Sequence, residues 1–226
     1  MCGRFSLVAP QHLFEMFGIK APADFKPRYN IAPGQNCYTI LSGETGYRLR
    51  VMRWGLIPFW AKDPQIGYKT INARGETVAE KPAFRDSFKS KRCLVPADGF
   101  YEWRPILGSK AKLPMRFTLK DEQAFCFAGL WSSWKPQDAE PVETFSIVTA
   151  AADGVFSPVH DREPVILTPE DGKRWTDPKA APKDMLSLLK PYPAEGLKGY
   201  EVSKVVNSAA HEEPGCIVPA GDVRWP

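Results

Sequence analysis

Apolar positions in this chain recur mostly with a period of two, interrupted by short stretches of helical spacing and by many prolines. The first helical stretch is predicted over residues 10–17. Pro10 suits a first helical position, Leu13, Phe14 and Phe17 share a face, and Gly18 ends it. Residues 25–35 are too rich in Pro for regular structure. Residues 37–41 and 47–54 read as two strands around a turn at 42–46; in the second, Tyr47, Leu49 and Val51 alternate with Arg48 and Arg50. The alternation breaks at 54–60, where Gly55 and Pro58 exclude a helix and leave Trp54, Phe59 and Trp60 in a loop. A short helix is predicted near 82–88, with Phe84 and Phe88 on one face, then an apolar strand at 93–97, an Asp98-Gly99 turn and a strand at 100–103. Strands follow at 115–119, 125–130 and 145–150. Residues 160–164 read as a polar loop before a strand at 165–167. Thr168-Pro169-Glu170-Asp171 is a helix start: a capping hydroxyl, Pro in first position, then acids in the first turn. A second short helix holds Met185, Leu186, Leu188 and Leu189, and a final strand is predicted at 200–206.

Many strands, few short helices and no βαβ alternation indicate an α+β fold. We expect a single domain over 1–226, built on a curved, barrel-like, mainly antiparallel sheet with short peripheral helices. At 226 residues the chain can bury a substantial core. Its 22 prolines, about twice the usual share, fit short elements and abundant turns.

Charge and cysteine content narrow the chemistry. A formal net charge of +4 is permissive of a nucleic-acid partner without requiring one. The five cysteines, at 2, 37, 93, 126 and 216, form no C-x-x-C pair, and only three histidines occur, at 12, 160 and 211. Neither a zinc site nor a disulfide framework is suggested, so no metal and no cofactor is expected. The N-terminus lacks a secretory pattern, and no apolar run of about 18 residues occurs. A cytoplasmic protein with no membrane partner is the expectation.

Four features carry candidate chemistry. Removal of Met1 would leave Cys2 with a free α-amine and a thiol on adjacent carbons, able to condense with an aldehyde and close to a thiazolidine. With a pKa of roughly 7.8 against about 10.4 for Lys, an α-amine has on the order of 10²-fold more free base near neutral pH. The plain alternative is a small buried hydrophobe. Glu102 lies between Tyr101 and Trp103; it points either to solvent or into an aromatic-lined site that would raise its pKa into the range of proton transfer. His160 stands beside Asp161 and Arg162, in what is otherwise a surface loop. Asn72 and Arg74 leave the same face of an extended segment, which suits a sugar hydroxyl and a phosphate and equally suits a structural turn. Trp54, Phe59 and Trp60 are either base-stacking groups or core, and Arg4, Arg28, Arg53, Arg74 and Arg162 are candidate phosphate contacts.

The ordered set Met1-Cys2-Gly3-Arg4-Phe5, Pro27-Arg28-Tyr29-Asn30-Ile31-Ala32-Pro33, Trp54-Gly55-Leu56-Ile57-Pro58, Ile71-Asn72-Ala73-Arg74, Arg92-Cys93-Leu94-Val95-Pro96-Ala97-Asp98-Gly99-Phe100-Tyr101-Glu102-Trp103, Phe145-Ser146-Ile147-Val148-Thr149 and His160-Asp161-Arg162 resembles the SRAP (SOS response-associated peptidase) family of abasic site processing proteins. The match covers about 2–207 and leaves 208–226 as a C-terminal tail. The resemblance implies a groove for single-stranded DNA and capture of the ring-opened abasic aldehyde by Cys2 as a thiazolidine crosslink that shields the lesion. It implies that Asn72 and His160 position the opened sugar. Glu102 would move protons in capture and assist Met1 release and crosslink reversal. Arg4, Arg28, Arg74 and Arg162 would hold phosphates, with Asn30, Trp54 and Trp60 also at the DNA. The partner is then single-stranded DNA containing abasic sites, the activity crosslinking with peptidase- and lyase-type side reactions, the state a monomer, and the location nucleoid-associated when acting on DNA. Two other readings remain: a cysteine-type peptidase pairing Cys2 with His160, and a non-catalytic single-strand binder with a structural Cys2.

Overall fold

The computed structural model describes residues 2–137, 139–153 and 156–225. Its elements run β1 (Phe5–Leu7), α1 (Gln11–Met16), β2 (Arg28–Ile31), β3 (Asn36–Gly43), β4 (Gly46–Trp54), β5 (Asn72–Arg74), α2 (Arg85–Ser90), β6 (Arg92–Ala97), β7 (Gly99–Pro105), β8 (Lys112–Leu119) and β9 (Phe125–Trp134). They continue with β10 (Val142–Ala151), β11 (Arg162–Pro164), β12 (Ile166–Leu167), α3 (Pro169–Thr176), α4 (Pro182–Leu186), β13 (Leu197–Val202) and β14 (Pro219–Trp225).

Two sheets result. One has six strands in the order β14-β13-β8-β7-β1-β2; the other has eight, with the path β11-β10-β4-β3-β6-β9-β12 and β5 beside β10. β9 also pairs with β10, so the path β10-β4-β3-β6-β9 curls back on itself. The expected α+β fold on a curved, mainly antiparallel sheet is what forms; β10 with β4 and with β5 are the parallel pairs.

The continuous apolar runs are explained by burial on both faces. In β6, Cys93 and Val95 enter the core between the sheets, while Leu94 enters a second core under the helices. In β9 and β10, Phe127 and Phe145 face the first core, and Ala128 and Val148 the second. Aromatic rings fill the first core: Phe5 meets Trp54 edge-on at 5.1 Å between centroids, and Trp54 stacks on Phe145 at 6.2 Å. The buried Arg92 guanidinium donates to the carbonyls of Phe88 and Lys89 in α2 and of Trp175 and Asp177 at the end of α3. One cation thereby satisfies the exposed carbonyl ends of two helices.

Several expectations shift. The Pro-rich stretch contains a strand after all, β2, because Arg28 to Ile31 find partners on β1. The predicted polar loop at 160–164 holds β11, with Arg162 and Glu163 buried. The last predicted strand ends at Val202 and passes into a 3-10 turn over Lys204–Asn207, capped by the Ser203 hydroxyl. The stretch 208–226 is built into the fold up to Trp225: β14 joins β13, and Cys216 packs with Tyr101, Val202 and Val206 in a third cluster.

Candidate active site

The chain start is laid against β7 by strand pairing. Phe5 pairs with Phe100 and Ser6 with Gly99, and the Tyr101 amide donates to the Arg4 carbonyl at 3.0 Å. The same register, continued, sets Gly3 against Glu102. Phe100 faces the core between the sheets, so period-two parity turns Glu102 to that side and Tyr101 to the other. Glu102 is 4 % exposed and Cys2 0 %.

β5 closes the site from the eight-stranded sheet. It pairs in parallel with β10, Asn72 opposite Ile147 and Arg74 opposite Thr149. The Asn72 Nδ2 donates to the Cys2 carbonyl at 2.8 Å. Its Oδ1 is buried with no hydrogen-bond partner among the described residues, an acceptor left over for a donor from outside. The preceding residue is fixed as well: the Trp54 indole donates to the Ile71 carbonyl at 2.9 Å. Trp54 ends β4 at Gly55, whose φ of 120° only glycine adopts easily and whose Cβ would lie 2.7 Å from the Gly67 carbonyl oxygen.

Ionisation follows burial. Desolvation pushes Glu102 up to about 7, against a smaller opposing pull from the Lys112 ammonium. Desolvation, reinforced by the Glu102 charge, drives the Cys2 thiol well above the usual thiol range. The Cys2 thiol donates a hydrogen bond to the Arg4 carbonyl oxygen at 3.8 Å. His160 is lowered, first by burial and also by cations that include Lys112. Two contacts compete at its Nδ1: the Arg162 amide donates to it at 3.0 Å, and an Asp161 carboxylate oxygen lies at 2.7 Å. A neutral ring meets one contact or the other: with its proton on Nε2 it accepts from the Arg162 amide, and with its proton on Nδ1 it donates to Asp161.

The structure separates the remaining candidates. Trp54 is 1 % exposed, so it is a core residue and offers no face to a base. Asn30, fully buried, donates to the carbonyls of Ser208 and His211 and accepts from Arg4. It is a structural pin, without a surface for DNA. Arg162 is 8 % exposed, grips both carboxylate oxygens of Glu76 at 2.7 and 2.9 Å, and donates to the Thr149 carbonyl. Its guanidinium is thus engaged by Glu76 and Thr149 and largely covered. Arg28 is paired with Glu212 at 2.8 Å, and Arg4 is spent on Asn30 and the Val206 and Asn207 carbonyls while lying over the Trp103 ring at 5.9 Å. Arg74 is exposed, as are Trp60 at 47 % and Phe59 at 59 %.

Two residues escaped the sequence reading. Glu76 is the partner that buries Arg162, and the two lie 86 positions apart. Lys112 enters through the β7–β8 hairpin, which sets it opposite Pro105; its charge reaches both Glu102 and His160. The hairpin register was the one signal that could have found it.

Among the described residues no group of His, Cys, Asp or Glu could hold a metal ion, and no helix is long and apolar enough to cross a membrane.

Fold and site together define a class: an α+β protein with a curled sheet, in which a buried Cys2 is held by an amide beside a near-neutral carboxyl. Residues 1–209 match the family model of the SOS response associated peptidase (SRAP), and the chain belongs to that family. It is 46 % identical over 222 residues to the abasic site processing protein YoqW of Bacillus subtilis, covering 96 % of this chain and 99 % of that one. To the abasic site processing protein HMCES of Xenopus tropicalis it is 33 % identical, over 85 % of this chain and 66 % of that protein. A crystal structure of a protein from Bacteroides thetaiotaomicron superposes with a TM-score of 0.87 at 29 % identity, covering 97 % of this chain and 100 % of that one.

Proposed function

We propose that this protein processes abasic sites in single-stranded DNA by covalent capture through Cys2 after Met1 is removed. The observation that carries the proposal is the meeting of Cys2, Asn72 and Glu102: the Asn72 amide holds the Cys2 carbonyl, and strand register brings Glu102 alongside. The relatives' names supply the substrate class.

In this mechanism the freed Cys2 amine adds to the aldehyde carbon of the ring-opened sugar to give a carbinolamine. Protonated Glu102 delivers a proton to its hydroxyl, which leaves as water, and a protonated imine remains. The Sγ electron pair then closes on the iminium carbon while the thiol proton is taken up by Glu102 carboxylate; the nitrogen keeps its proton and accepts the C=N electron pair, and Glu102 is protonated again. Aldehyde plus aminothiol thus becomes thiazolidine plus water. A carboxyl titrating at about 7 is populated in both forms near neutral pH, which suits an acid and a base in successive steps. The unpartnered Asn72 Oδ1 takes a sugar hydroxyl, and the neutral His160 ring, in the tautomer that accepts from the Arg162 amide, donates from Nε2. Arg74, Trp60 and Phe59 offer a phosphate contact and stacking faces at the surface.

A cysteine-peptidase reading fits less well. It needs a low-pKa thiolate beside an imidazole, whereas burial drives the Cys2 thiol the other way.

The test is a denaturing gel of Met-processed protein with single-stranded DNA carrying one abasic site. A heat-stable shifted band is expected that needs the abasic site, needs no reductant and vanishes in Cys2→Ala. Absence of the band, with intact mass proving Met1 gone, overturns capture and leaves the non-catalytic single-strand binder.

A further inference from the structure

Beyond Glu102, β7 and β8 run on past the site into a hairpin whose tip is apolar and uncovered. Leu107 is 103 % exposed and Ile106 39 % exposed. Cationic residues flank them: Arg104 on β7, Lys110 in the turn and Lys112 on β8, the two lysines exposed. No acidic residue occurs between Glu102 and Asp121. The tip is locally ordered. Pro105 pairs with Lys112, Gly108 takes a positive φ of 75°, the Ser109 amide donates to the Ile106 carbonyl at 3.0 Å, and the Ala111 amide to the Ser109 hydroxyl. A leucine held fully in water at the end of a braced, cationic hairpin has no folding role to explain it.

We infer that this tip is a wedge for DNA: Leu107 and Ile106 insert between bases of the strand leaving the lesion, while Lys110, Lys112 and Arg104 take the neighbouring phosphates. This rests on the reading of the site as one that takes single-stranded DNA, and it adds where along the strand a second grip lies. Two observations choose DNA as the occupant. The flanking charge is of one sign and complements a phosphate backbone. The hairpin is also continuous with the site, since the Lys112 charge is felt by both Glu102 and His160. Short apolar side chains entering a base step beside cations on the phosphates are a known way to unstack a strand. At ~3.3 Å per residue in a strand, Leu107 lies roughly 16 Å beyond Glu102. That corresponds to roughly four or five stacked base steps at ~3.4 Å each.

The test uses DNA with a tetrahydrofuran abasic analogue, which has no aldehyde and cannot crosslink, so that its outcome is independent of covalent capture. 2-Aminopurine is placed one to seven nucleotides from the analogue on either side, and its fluorescence is read at saturating protein. The wild type should brighten the probe at one register, three to six nucleotides out on one side only. Leu107→Ser should abolish that rise and weaken DNA binding three- to tenfold, and Lys110→Ala should lower the salt dependence of binding without abolishing the rise. Because Leu107 touches no core, its replacement is not expected to unfold the chain; circular dichroism checks this. No register-specific rise in the wild type, or a rise that persists in Leu107→Ser, overturns the wedge. So does Leu107-dependent binding to anionic phospholipid vesicles with no Leu107-dependent DNA signal. Failure of crosslinking with a natural abasic site would sink capture by Cys2 and leave this measurement standing.

Discussion

Glu102 shows how a single residue's surroundings set its chemistry. Burial dominates its ionisation and holds it at about 7, while an unfolded chain returns it to about 4.3. The folded form therefore prefers the proton. Its contribution to stability is complete below the unfolded value and is lost as pH rises through about 7. Removing the charge should recover that loss. Glu102→Gln is expected to melt a few degrees above wild type at pH 8, with the gap closing steadily towards pH 4; parallel melting curves over that range would mean an ordinary carboxyl. Glu163, also buried and raised to about 7, gives a second and additive step in the same direction. The same substitution should slow crosslinking at every pH and flatten its profile between pH 6 and 8, so stability and activity move oppositely. Sequence parity placed Glu102 opposite its aromatic neighbours, but parity alone does not say which side is water. Here neither is: Tyr101 is covered by the chain end, and Glu102 faces the space between the sheets.

At the scale of elements, β10 is flanked on one edge by β5, which carries Asn72 and Arg74, and on the other by β11, which follows His160. The Arg162–Glu76 pair reaches across β10 and ties the two together, with the Thr149 carbonyl between them. Two arginines that look alike in sequence should then behave differently. Arg74→Ala is expected to weaken DNA binding and reduce the slope of log affinity against log salt by about one. Arg162→Ala should leave that slope unchanged, cost about 1–3 kcal/mol of stability through the lost charge-assisted pair, and lower the crosslinking rate by loosening Asn72 relative to His160. A reduced salt slope in Arg162→Ala would return it to the phosphate contacts. The strands were legible because period-two alternation and apolar runs are local signals. The role of Arg162 was not, because its partner lies 86 positions away. Trp54 misleads for a related reason: a Trp in a Gly- and Pro-containing loop reads as exposed until Phe5 and Phe145 close over it.

For the whole molecule, the question is what holds the chain start in place, since β2 is the outer strand of the six-stranded sheet. The chain end supplies the answer. Glu212 accepts from the Arg28 guanidinium and from the Tyr29 and Asn30 amides, covering the exposed edge of β2. Asn30 in turn donates to carbonyls at 208 and 211 and presents its Oδ1 to Arg4 at 2.7 Å. Arg4 is two positions from Cys2, so a continuous set of hydrogen bonds runs from the tail to the candidate nucleophile. Truncation after Asn207 removes Glu212, the Cys216 side chain and β14 together, and should lower the melting temperature by more than about 10 °C, since several kcal/mol are involved and each shifts a chain of this size by about 2–4 °C. Glu212→Gln, which keeps shape and loses charge, should cost less, about 1–2 kcal/mol. Assayed at a temperature where circular dichroism shows it folded, the truncated chain should still crosslink more slowly, because Arg4 loses the braced Asn30 that fixes the approach to Cys2. An unchanged melting temperature would make 208–226 an appendage. Unchanged crosslinking in a destabilised variant would confine the tail to stability and detach it from the site.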